Sequence, residues 1–240
     1  MRDAMNSPQP DPWARSRMLI GDAGVAALKD SRVAVFGVGG VGGYACEALA
    51  RAGVGALDVI DGDTVAMSNL NRQIVALTST LGRNKAEAMA QRIRDINPAC
   101  QVRAIPRFYT QDTWDDWPLD GYDAIVDAVD MVSAKVELAV RAQQAGVFIV
   151  SAMGAGNRIS PAGFIAADIQ DTSGCPLARV MRRELKRRGV AHLRVVYSPV
   201  PPQVTVQPPG SMVFAPGVAG LWLAHEVVAQ LTRSGAPGMV

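Results

Sequence analysis

The chain has 240 residues, 24 basic and 22 acidic side chains, a formal charge of +2 and 49% hydrophobic residues. That length suits one α/β domain with a full core, and the near-neutral balance excludes a nucleic-acid binder that relies on overall charge. Cys46, Cys100 and Cys175 are too widely spaced for a zinc ribbon or a disulfide framework, so reduced thiols in a cytoplasmic protein are expected.

Residues 1–14 contain Pro8, Pro10 and Pro12 and no apolar run, which reads as a disordered tail and not a signal peptide. Residues 15–150 then alternate between strand-like and helix-like segments. Strands are predicted at Arg32–Phe36, Leu57–Ile60, Val102–Ile105, Ala124–Val126 and Val147–Val150, with helices at Val41–Ala52, Lys85–Ile96 and Val132–Gln144. Such alternation predicts a Rossmann-like, doubly wound, mainly parallel sheet with helices on both faces. Residues 151–235 extend the same domain. They hold an extended segment at Ile159–Ile169, a basic helix at Pro176–Arg188, a strand at Leu193–Tyr197 and a final helix at Gly217–Leu231. Five prolines between Pro199 and Pro209 make Ser198–Ser211 a mobile loop. The apolar stretch from Met212 to Ala224 is shorter than a membrane span and runs into His225 and Glu226.

Gly37-Val38-Gly39-Gly40-Val41-Gly42 follows the first strand and opens the first helix. There the backbone can approach a phosphate closely, and the helix start offers unpaired N–H groups. Asp61 ends the second strand, where a carboxylate can accept both ribose hydroxyls. Up to this point an NAD-binding domain fits equally well. Ser68-Asn69-Leu70-Asn71-Arg72-Gln73 and Gly82-Arg83-Asn84-Lys85 favour a nucleoside triphosphate instead. Arg72 can grip two phosphate oxygens and Lys85 supplies a compact charge, which a triphosphate in a partly dry site requires. Asp127 and Asp130 close the fourth strand segment, and either suits Mg²⁺, which takes a carboxylate together with phosphate oxygens and waters.

The glycine loop, the Asp61–Val65 and Ser68–Gln73 runs, Gly82–Lys85 and Asp127–Asp130, in that order, resemble the signature set of the ubiquitin-activating, adenylate-forming family. The resemblance implies an ATP- and Mg²⁺-dependent enzyme. Gly37, Gly39, Gly40 and Gly42 would contact the nucleotide, with Asp61 on the ribose and Asp63 beside it. It puts Asn69, Asn71 and Arg72 at the phosphates, Lys85 at the outer phosphates and Asp130 at the magnesium. It also implies a homodimer in which Arg15 reaches the partner's phosphates.

Two absences narrow the family. The chain has no C-x-x-C pair, and no neighbouring histidine or acid marks Cys175 as an activated thiol. The second half resembles the branch that dehydrates threonylcarbamoyladenosine in tRNA, through Ala152–Asn157, Thr172–Val190 and Arg194–Ser198. Within it Arg179, Arg182, Arg183, Lys186, Arg187 and Arg188 face only one acid, Glu184, which exceeds what helix pairing needs. Arg179, Arg182, Arg183 and Lys186 can share a face while Val180 and Leu185 turn inward, and such a stripe suits an RNA backbone. The resemblance implies that ATP adenylates the carboxylate of the modification. An oxygen of the same modification then closes a ring and releases AMP, without an enzyme nucleophile. Activation of the C-terminus of a ubiquitin-like sulfur carrier and a dinucleotide-binding oxidoreductase or sensor remain the alternatives. The resemblance leaves a sulfur-transfer partner open.

Overall fold

The computed structural model describes residues 11–233. Seven strands form one sheet: β1 (Arg32–Phe36), β2 (Ala56–Ile60), β3 (Gln101–Ile105), β4 (Ala124–Asp127), β5 (Phe148–Ala152), β6 (Ile165–Asp168) and β7 (Arg194–Tyr197). Their order is β3-β2-β1-β4-β5-β7-β6, all neighbours parallel except β6 against β7. The expected doubly wound sheet is therefore present, and the C-terminal part extends it past β5.

Six helices accompany the sheet: α1 (Ala14–Asp30), α2 (Gly42–Ala52), α3 (Lys85–Ile96), α4 (Val132–Ala145), α5 (Pro176–Arg187) and α6 (Phe214–Thr232). Because successive strand residues point to opposite faces, β1 feeds two cores. Val33 and Val35 join Leu49 of α2, Met89 of α3 and Leu223 of α6, whereas Ala34 and Phe36 join Leu138 of α4 and Met181 and Leu185 of α5. A strand buried on both faces reads as a continuous apolar run, as RVAVF does.

Two expectations need correction. The N-terminal segment is helical from Ala14, and Trp13 is anchored by its indole N–H, which donates to the Arg51 carbonyl at 3.1 Å. Arg17 pairs with Asp11 at 2.9 Å and with Asp22. The tail expectation for residues 1–10 lies outside the described residues. Helix α1 lacks the sequence signature of a helix because Gly21 (φ 69°, ψ 178°) kinks it and Met18 and Leu19 point outward. The second correction concerns the 198–211 segment, which has no regular structure but is tied down. Asn157 donates its backbone N–H to Gly210 and accepts from Gln203 and Gly210, while Arg158 donates to Ser198 and to the Val200 carbonyl. No helix among the described residues is long and apolar enough to cross a membrane.

The sheet order reverses direction between β1 and β4, and their C-terminal ends lie level, with Phe36 paired to Ile60 on one side and Asp127 on the other. A crevice at such a switch point is where doubly wound folds bind ligands.

Candidate nucleotide site

A cleft of about 400 Å³ opens at that point. Gly37, Gly39 and Gly40 line it. The loop is fixed at its start by the Gly37 N–H, which donates to the Ile60 carbonyl at 2.8 Å. Gly42 does not line the cleft. A Cβ there would sit 1.8 Å from the Gly37 carbonyl oxygen, so a glycine is what lets helix α2 pack on the loop. Asp61 lines the cleft from the end of β2, accepting from the Val38 N–H at 2.6 Å and from the Asp63 N–H at 2.8 Å. Burial pushes its carboxyl above the ordinary range, opposed by those two amides and by the charge of Lys85.

The basic groups are positioned by the turns that precede α3. Asn84 caps α3, accepting from the Ala86 and Glu87 amides, and its own amide donates to the carbonyls of Asp61 and Asp63. One cap thus fastens α3 to the loop after β2. Lys85, the first helical residue, is buried with its Nζ 2.8 Å from Asp63 Oδ2, and both line the cleft. Arg72 also lines it, steadied by bonds from Nη1 to the Ser68 carbonyl (2.8 Å) and to Asn71 Oδ1 (3.0 Å).

The two asparagines are placed differently from the sequence expectation. Asn69 is buried outside the cleft lining, its Oδ1 accepting from the Ala66 N–H at 3.0 Å to cap the short turn at Met67–Asn69. Asn71 likewise lies outside the lining. Its side-chain amide donates to the Ser211 carbonyl at 2.9 Å, joining Arg72 to the 198–211 segment. Asparagine is favoured in turns for its own hydrogen bonds as well as for ligands, and here the turn claims it.

The two acids stand in different surroundings. Asp127 is fully buried and engaged by Lys135 Nζ at 3.0 Å, Ser151 Oγ at 2.5 Å and the Val129 N–H at 3.2 Å. Asp130 is exposed on the cleft lip, and α4 is capped at Met131 without a side-chain bond, so Asp130 has no capping task. Among the described residues no group of three or more His, Cys, Asp or Glu side chains could hold a metal ion. One carboxylate at the mouth of a phosphate cleft fits Mg²⁺, which keeps several waters and takes phosphate oxygens as ligands.

Other expected site residues are dispersed. Arg15 is exposed on α1 and does not line the cleft of its own chain. Helix α5 starts at the cleft, where Leu177 lines it, and runs away with Arg179, Arg183, Lys186 and Arg187 exposed. Arg182 does not belong to that stripe. It is half-buried, with Nη1 donating to the Thr172 carbonyl at 2.8 Å and to the Thr172 hydroxyl. Arg183 and Arg187 share Glu184 at 2.9 and 3.1 Å. The inward residues are Ala178, Met181 and Leu185, and Val180 is only partly covered. Cys175 is buried and does not line the cleft. Gln73, Arg107 and Phe108 line the cleft although no sequence signal singled them out. Gln73 stood inside the phosphate motif, and its position there was the one available clue.

Arg72 and Lys85 on the cleft beside the glycine loop suit a nucleoside triphosphate better than a dinucleotide, as an ATP-binding, adenylate-forming enzyme requires. The chain belongs to the ThiF family, whose model matches residues 13–239. A tRNA threonylcarbamoyladenosine dehydratase of Bacillus subtilis is 38% identical over 240 aligned residues, covering 92% of this chain and 94% of that protein. The Escherichia coli protein of the same name is 40% identical over 180 residues, covering 73% and 67%. The crystal structure of E. coli tRNA N6-threonylcarbamoyladenosine dehydratase in complex with ATP superposes with a TM-score of 0.86 at 31% identity, covering 95% of this chain and 98% of that one.

Proposed function

We propose that this chain is an ATP-dependent dehydratase that cyclises threonylcarbamoyladenosine in tRNA. The observation that carries the reading is the likeness, over nearly the whole of both chains, to dehydratases of that name. The placement of Arg72 and Lys85 on the cleft beside the glycine loop supports it.

The modification ends in a carboxylate, a poor electrophile. Attack of its oxygen on the α-phosphorus of ATP forms an acyl-adenylate and expels pyrophosphate. An oxygen of the same modification then adds to the activated carbonyl, the ring closes, and AMP leaves with its bond to the acyl carbon broken. The net change is loss of water from the modification and cleavage of ATP to AMP and pyrophosphate. Because nucleophile and electrophile share one molecule, the second step needs orientation more than an enzyme nucleophile. The buried Cys175 agrees with that economy. Asp61 orients the ribose, the amides of Gly39 and Gly40 face the phosphates, and Arg72 and Lys85 neutralise the charge that builds on the departing pyrophosphate. Asp130 would hold Mg²⁺, which supplies further charge neutralisation on phosphate oxygens.

The exposed basic residues of α5 lead from the cleft and suit the RNA backbone, with Arg179, Arg183, Lys186 and Arg187 as the groups that meet it. Residues 15–235 act as one domain, since the strands beyond residue 151 complete the same sheet. A homodimer supplies Arg15 to the partner's phosphates, and a tRNA substrate together with free cysteines fits a cytoplasmic enzyme.

The test is ATP-dependent AMP release with tRNA carrying the modification, compared with the same tRNA lacking it. Release only with the modified tRNA, reduced roughly 10²–10³-fold in Arg72→Ala or Lys85→Ala, is expected for groups that stabilise developing charge. A protein that binds ATP but releases AMP with neither tRNA would move the assignment to a carrier protein's C-terminus.

A further inference from the structure

Lys135, in the first turn of α4, is completely buried, and so is its partner Asp127. Both stand behind the cleft and neither lines it. The ammonium makes two directed bonds, to Asp127 Oδ2 at 3.0 Å and to the Val129 carbonyl at 3.1 Å. Stability alone does not require this arrangement, because apolar side chains of similar volume often replace a buried ion pair without loss. What an apolar pair lacks is direction.

Direction matters because of what lies between the two residues. Asp127 ends β4, Lys135 lies in the start of α4, and the loop joining them puts Ala128, Val129, Asp130 and Met131 on the cleft wall. No side chain caps α4 at Met131, so the loop is fixed from behind instead. The Ala128 N–H donates to the Phe36 carbonyl at 2.8 Å, the Val129 N–H donates to Asp127 Oδ1 at 3.2 Å, and the Val129 carbonyl accepts from Lys135. Ser151 on β5 donates to Asp127 Oδ2 at 2.5 Å. On its other side the loop meets the glycine loop, where a Cβ on Gly37 would lie 2.7 Å from the Ala128 carbonyl oxygen. The carbonyl that Lys135 holds belongs to the peptide joining Val129 to Asp130. Asp130 is exposed and its side chain is short, so its carboxylate goes where that peptide aims it.

We propose that Lys135 is a positioning residue for the magnesium-binding carboxylate: by clamping the Val129–Asp130 peptide it fixes the direction from which Asp130 meets the cleft. This rests on the reading of Asp130 as the magnesium ligand. Lys135 itself touches neither nucleotide nor metal and acts through one peptide plane.

The experiment removes the clamp without leaving a bare buried charge. Lys135→Met/Asp127→Asn, Asp130→Ala and the combination of all three are compared with wild type by equilibrium binding of ATP, in magnesium and in EDTA, and by melting temperature. Expected for the neutral pair is a loss of roughly tenfold or more in the ATP affinity gained from magnesium, the size usual when a group behind a metal ligand is removed. Its ATP affinity in EDTA should hold within about twofold, and in the Asp130→Ala background it should add less than about twofold, because both changes remove one effect. Ser151→Ala loosens Asp127 but spares the bond to Val129, and should lower the melting temperature while leaving the magnesium effect intact. Lys135→Gln/Asp127→Asn is the second variant, should the methionine pair melt below the binding temperature. A neutral pair that keeps the full magnesium effect would overturn the proposal. So would equal losses with and without magnesium, losses that multiply with those of Asp130→Ala, or the same losses in Ser151→Ala. Wild type that gains nothing from magnesium, or Asp130→Ala that loses nothing, would defeat the magnesium reading of Asp130 and the proposal with it. None of these measurements needs tRNA, so the dehydratase reading stands or falls separately.

Discussion

Asp61 has to stay charged while half enclosed by protein. Burial raises its carboxyl, and the Val38 and Asp63 amides together with Lys85 pull it back. A group with a raised pKa takes up its proton sooner on acidification than an exposed aspartate, whose ordinary value is 3.8. ATP affinity is therefore expected to decline with falling pH while the pH is still above 3.8, and Asp61→Asn should bind more weakly with that limb of the profile flat. Equilibrium binding across the acid range checks this. The effect on stability has the opposite sign. The folded state favours the proton, so this group's contribution is full below 3.8 and is lost as pH rises through its folded value; acid weakens the ligand's hold without unfolding the site through Asp61. Asp127 poses a different problem. Replacing Lys135 by methionine leaves a fully buried carboxylate with one charge partner removed, which should cost about 3–5 kcal/mol in denaturant unfolding. Pairing that change with Asp127→Asn should recover part of the loss. In the sequence these two acids are equivalent, three residues apart in Asp127-Ala128-Val129-Asp130. Only burial tells the anchor from the candidate ligand, and burial depends on β4 lying inside the sheet. Asn69 misled for a related reason, since an asparagine that caps a turn and one that meets a phosphate occupy the same sequence pattern.

Among the elements, α3 was legible to the residue, because Asn84 supplies a cap and the apolar positions recur at helical spacing. Helix α1 was not, since its kink at Gly21 breaks the period and its first half packs little apolar surface. Helix α5 was legible as a helix, but its charges were not separable by sequence. Arg182 spends its guanidinium on Thr172, whereas Arg179 and Lys186 have no ion-pair partner among the described residues. Reversing both Arg179 and Lys186 to glutamate should weaken binding of modified tRNA and make its dependence on log salt shallower by roughly one for each phosphate no longer neutralised. ATP affinity should stay as in wild type. Arg182→Ala should behave otherwise, lowering stability by roughly 1–3 kcal/mol through the unpaired Thr172 carbonyl, with a smaller change in salt dependence.

At the scale of the whole molecule, strand–helix alternation was enough to predict a mainly parallel, doubly wound sheet, because right-handed crossovers leave few other topologies. The antiparallel return of β6 along β7 was not foreseeable, as each strand has four residues and the connection between them is long. Arg15 is a question at this scale too, because it lies away from the cleft of its own chain. If it serves a partner's phosphates, mixing inactive Arg15→Ala protein with inactive Lys85→Ala protein should restore AMP release once subunits exchange. One site of each mixed dimer then has both groups intact. No recovery, with exchange shown by differently tagged chains, would rule out action across the dimer.

The bond from Asn71 to Ser211 has a thermodynamic consequence. Asn71 is also one of the two acceptors that hold Arg72, so whatever moves the 198–211 segment off Asn71 also loosens this cleft-lining arginine. If bound RNA displaces that segment, the two substrates are energetically coupled, and such coupling is symmetric. The factor by which bound RNA alters the affinity for ATP is the factor by which bound ATP alters the affinity for RNA.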